Sequence, residues 1–157
     1  MPGPQGRGAA LAVRLLLVAV GFAPFVPALA AHFTALRGLG RALDAWFAFQ
    51  CERDSARMLG VGAVCARCLG LYVGLGLGAL IGRPRLATPR LELWLAGAAL
   101  AMGADVATEA LGWRAPWALL RFATGLALAY AAGVIVVAWL SGASAARSAS
   151  NEPAQKP

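Results

Sequence analysis

The sequence predicts an all-α polytopic membrane protein with four transmembrane helices and a short amphipathic helix at the interface. Three observations carry this reading. Four apolar runs approach the roughly 20 residues needed to cross a bilayer. The chain of 157 residues is 60% hydrophobic and only 13% charged, about half the charged share of a soluble domain. Its basic residues gather between the apolar runs, where membrane topology places them.

The net charge of +7 does not point to nucleic acid. The arginines form no stripe interleaved with aromatics. The partner they fit is the lipid bilayer, whose anionic head groups attract cations beside a span.

Residues 1–10, MPGPQGRGAA, are expected to be disordered, and residues 11–140 form a single four-helix transmembrane domain. The first run, LAVRLLLVAVGFAPFVPALAA, covers 11–31, with Pro24 and Pro27 placed to kink its outer half. It has a rival reading as a cleaved signal peptide. Arg7 and Arg14 would be its basic region, and Ala28–Ala30 its cleavage site.

Residues 32–58 form the long polar segment. Within it Leu36, Leu39, Leu43 and Phe47 recur at helical spacing, with Arg37, Arg41 and Asp44 off that line. Trp46 and Phe49 suit head-group depth, so this helix is expected to lie on the membrane surface. The remaining spans are expected at about Gly62–Gly82, Leu91–Leu111 and Ala118–Leu140, followed by a disordered polar tail at 141–157.

Arg83, Arg85 and Arg90 crowd the short loop between the second and third spans. With Arg7, Arg14, Arg147 and Lys156 they place both termini in the cytoplasm. Counting inward at about 1.5 Å per residue puts Cys65, Cys68, Asp105, Glu109, Arg121 and Thr124 in the outer third of a ~30 Å hydrocarbon core. Charges at that depth need partners. For Asp105 the first choice is Arg121 and the second Arg67, which can instead snorkel outward. Gly70, Gly74, Gly78 and Gly82 recur every four residues and bare one ridge of the second span. Another helix, a membrane protein partner or a second copy could pack there.

Cys65 and Cys68 form a CxxC motif at the mouth of this span, with Tyr72 on the same face and Cys51 upstream. Three chemistries fit. A thiol–disulfide pair would make a membrane oxidoreductase using Cys65 and Cys68, with Asp105 and Arg121 as further catalytic candidates. A soft-metal site for zinc or iron would use Cys51, Cys65 and Cys68, the fourth ligand being Glu52, His32, Asp105 or water. A structural role would tie Cys51 to the second span in a non-catalytic or partner subunit. No HExxH, phosphate-binding loop or dinucleotide fingerprint occurs.

Two stretches, CERDSARMLGVGAVCARCLGLYVG and ADVATEALGWRAPWALLRFATG, resemble DUF2085, a family of small uncharacterised prokaryotic multi-pass membrane proteins. The similarity runs from about Cys51 to Gly125. It rests on Cys51, the VCARC block Val64–Cys68, Gly70, Tyr72, Asp105, Leu120, Arg121, Thr124 and Gly125. The chain departs from the pattern at Glu52, where the family has histidine, and at Leu69, Val106, Glu109 and near Trp117. The resemblance implies a Cys-His-Cys-Cys metal set in which Glu52 stands in for the histidine, and it implies no activity. A periplasm-active reporter fused after Lys156 should be silent; activity there would reverse the orientation.

Overall fold

The computed structural model describes residues 4–51, 57–60, 62–82 and 88–150. All regular structure among them is helical. The helices are α1 (Pro4–Phe22), α2 (Val26–Ala30), α3 (Arg37–Gln50), α4 (Ala66–Ile81), α5 (Thr88–Ala110) and α6 (Ala118–Ser150).

Among the described residues three stretches are long and apolar enough to cross a membrane: Ala10–Ala30, Arg90–Ala110 and Ala118–Leu140. Their large side chains point outward rather than into a core, as at Leu15, Leu16, Leu93, Leu100 and Trp139. Water would not tolerate so much exposed apolar surface, and lipid does.

The first apolar run is broken where its prolines predict. A 3-10 turn at Ala23–Phe25 separates α1 from α2. Pro24 and Pro27 have no N–H to continue the helical ladder. The Pro24 carbonyl accepts the Ala63 N–H at 3.2 Å instead. α4 starts later than Gly62. Cys65 is extended, with ψ 159°, and caps the helix, which begins at Ala66. The Ala63 and Cys65 N–H groups, left over ahead of it, go to the Pro24 carbonyl and the Cys51 sulfur. With 16 residues, α4 is about 24 Å long and falls short of the ~30 Å core. Helix also runs past the apolar limits the sequence suggests, back to Pro4 and on to Ser150.

The packing centres on α4. Added Cβ atoms at Gly70, Gly74 and Gly78 would strike the backbone carbonyls of Phe122, Leu126 and Tyr130. From the other side, a Cβ on Gly125 would lie 2.5 Å from the Arg67 carbonyl, and one on Gly133 2.7 Å from that of Leu75. Both sets rise together along their helices, so α4 and α6 run parallel with their backbones in contact. The bare face of α4 is therefore covered by α6 of the same chain.

On its other side α4 meets α1 antiparallel. Gly21 sits against Gly76, and Arg14 donates to the carbonyls of Ala79 and Leu80, each at 2.6 Å. A cation at these last carbonyls satisfies groups the helix leaves open and favours the negative end of its dipole. α5 lies antiparallel on α6, with the Trp94 indole N–H donating to the Ala127 carbonyl at 3.3 Å. Added volume at Gly74 should thus be costly. Gly74→Leu is expected to lower stability in detergent by at least about 2 kcal/mol. Gly97→Leu, where a new Cβ meets nothing within 4 Å, should be near neutral in the same thermal-unfolding assay.

Candidate functional site

Three cysteines converge where α3 ends and α4 begins. Cys51 follows α3 directly. Cys65 is the N-cap of α4, and Cys68 lies in its first turn. Their sulfurs all lie within 4.8 Å of one another. None of the three is in a disulfide.

Packing creates this meeting. Phe47 on α3, Cys51, Val64 and Leu69 form one buried cluster, with Cys65, Cys68, Tyr72 and Phe122 packed around it. The Phe47 and Tyr72 rings meet edge to face at 5.5 Å, a geometry aromatic pairs favour. The Tyr72 hydroxyl donates to the Gln50 side-chain oxygen at 2.9 Å. These contacts hold the end of α3 over the start of α4.

The donor set fits a soft metal. Four-coordinate zinc with Zn–S bonds of about 2.3 Å holds its sulfurs about 3.8 Å apart, so a small contraction would suffice. The Cys65 N–H already donates to the Cys51 sulfur at 3.3 Å, a bond that favours thiolate. The N-terminus of α4 adds partial positive charge. Without an ion, burial pushes the Cys51 thiol above its ordinary range. The three-cysteine cluster can therefore coordinate zinc- or iron-type metals.

Beside the thiols lies a network of buried charge. Asp105 is only 5% exposed and Arg121 3%. Arg67, between the two CxxC cysteines in sequence, donates to Asp105 at 2.7 Å. Arg114 reaches the other oxygen of that carboxylate. It also donates to the Asp105 backbone carbonyl at 3.0 Å and to Thr108 Oγ1 at 3.1 Å. Arg121 pairs with Glu109. Arg67 and Arg57 each stand 3.7 Å from the Glu109 carboxylate.

This wiring corrects the expected pairing. Asp105 is bound by Arg67 and Arg114, while Arg121 serves Glu109. Arg67 does not snorkel outward; it ties α4 to α5. Thr124 stays out of the network, and its hydroxyl bonds back to the Leu120 and Arg121 carbonyls. Neither His32, which is exposed, nor Asp105 joins the sulfur cluster. Glu52 lies outside the described residues.

Residues 61–135 match the family of predicted membrane proteins DUF2085. The matched segment carries Cys65, Arg67, Cys68, Asp105, Glu109, Arg114 and Arg121. Cys51 and Arg57 lie just before it. No curated protein and no solved structure matches the chain.

Arg114 is the participant that spacing missed. It follows a glycine turn that ends α5. Gly112 has φ +72°, its N–H bonds to the Glu109 carbonyl, and the Trp113 N–H reaches back to Thr108. This is a Schellman cap, and it returns the next residue toward the helix it closes. Its signal in the sequence is the Leu-Gly-Trp-Arg run after Ala110, where a glycine can close a helix.

Removing the acid should leave the half-buried Arg67 and Arg114 without their counter-charge. Asp105→Asn is expected to cost about 3–5 kcal/mol in thermal unfolding in mild detergent. A double-mutant cycle should show stronger coupling of Asp105 to Arg67 than to Arg121. Equal coupling, or coupling dominated by Arg121, would contradict the assignment.

Proposed function

We propose that this integral membrane protein binds a soft metal ion, zinc or iron, through Cys51, Cys65 and Cys68. The observation that carries the reading is the approach of three sulfurs to within 4.8 Å of one another. Glu52 is our choice for the fourth ligand because it adjoins Cys51; water is the other. A bound ion would fasten the end of α3 to the first turn of α4 and offer a Lewis-acid centre at its fourth position.

In this reading Asp105, Glu109, Arg67, Arg114 and Arg121 are positioning residues. Their ion pairs brace the turn that carries the CxxC thiols against α5 and α6. The site lies toward the outer side of the membrane, with both termini cytoplasmic and α4 as the fourth, short span of a domain covering 11–140. In this reading residues 1–31 are retained, with 11–31 as the first span, because Arg14 and Gly21 pack against α4. If the thiols serve redox chemistry instead, Cys65 and Cys68 are the pair, placed at a helix N-terminus that favours thiolate. A role as a partner subunit would need a surface other than the glycines α6 covers.

Metal analysis of the full chain purified in mild detergent separates these readings. About one equivalent of zinc or iron is expected, falling to trace in Cys51→Ser, Cys65→Ser and Cys68→Ser. Metal-free protein with a mass about 2 Da below the reduced form would overturn the metal reading in favour of a disulfide.

A further inference from the structure

A second polar site lies between α2 and α3, in an open groove of about 530 Å³ whose walls include none of the cysteines. Pro27, Ala30 and Ala31 form one wall, and Arg37, Arg41 and Asp44 line the other. Gly40 makes the groove possible, because a Cβ there would strike Ala30 and push α3 off α2.

We infer that this groove seats the phosphate of an anionic phospholipid. Depth is the first argument. Pro27 and Ala30 lie in the last turn of the candidate span Ala10–Ala30, so the groove opens at head-group level. Charge is the second. Arg37 and Arg41 are four residues apart on one face of α3, and both are exposed. Among the described residues neither forms an ion pair. Asp44, also on the wall, is engaged in an interaction of its own.

Two unpaired guanidiniums at a bilayer surface match a phosphate diester, which accepts their forked N–H groups. The apolar wall from α2 suits the glycerol and first methylenes of the same molecule. Exposed aromatics flank the hairpin. Phe33 is 58% exposed, Trp46 57% and Phe49 89%, as belongs to side chains resting among head groups. The net positive pair selects an anionic lipid over a zwitterionic one, whose own ammonium competes for the phosphate.

The test is a thermal-shift titration of the full chain in mild detergent. The additives are phosphatidylglycerol, phosphatidylcholine and inorganic phosphate at matched concentrations. Phosphatidylglycerol should raise the melting temperature saturably, and the other two should not. Arg37→Gln with Arg41→Gln should weaken the apparent affinity for phosphatidylglycerol about 30-fold, while Arg90→Gln, exposed near the start of α5, leaves it unchanged. An undiminished response in the double variant would overturn the proposal. So would an equal response to phosphatidylcholine or to inorganic phosphate.

Discussion

The contact between the backbones of α4 and α6 sets everything else in place. Each helix offers glycines where the other presents carbonyls: Gly70, Gly74 and Gly78 from α4, Gly125 and Gly133 from α6. In lipid no hydrophobic effect pulls helices together, so such close packing is a principal source of cohesion. Its register matters as much as its strength. With Gly125 against the Arg67 carbonyl, Arg67 and Arg121 come to the same end of the bundle. Asp105 and Glu109, one turn apart on α5, can then bridge to both. A shift of one turn along that contact would strand buried charge in a medium that does not solvate it.

The thiols depend on the same scaffold. The first turn of α4 carries Arg67 toward α5 and Cys65 and Cys68 toward α3. Phe47 and Tyr72 hold α3 down on that turn, and Cys51 arrives as the next residue after the helix. Thiols and a guanidinium stand at the mouth of an apolar run because this turn is the junction of three helices. The charges fasten it to α5 and α6, and the cysteines face the cap formed by α3. A metal held there would add a third fastening, using the buried Cys51 and the two half-buried CxxC thiols.

Much of this was legible in the sequence. Proline positions gave the break in the first run, and the glycine spacing gave the bare face of α4. Counting residues from the loop charges brought Cys65, Asp105 and Arg121 to one end. What spacing does not encode is which neighbour a long side chain selects. Depth and helix face fit both Arg67 and Arg121 as partners for Asp105, and the choice came from the α4–α6 register and from a turn. Arg114 was invisible for the same reason, since its contact follows from the left-handed conformation of Gly112. The late start of α4 escaped periodicity as well. Apolar character continues through Gly62–Val64, while the Ala63 and Cys65 N–H groups go to tertiary partners and Cys65 is extended.

The measurement that bears most directly on the account is X-ray absorption spectroscopy of the zinc-loaded full chain. Three sulfurs at about 2.3 Å from the metal, with one lighter oxygen or nitrogen neighbour, is the predicted shell. A shell of oxygen and nitrogen alone would contradict it, because the metal would then be bound somewhere other than the junction of α3 and α4.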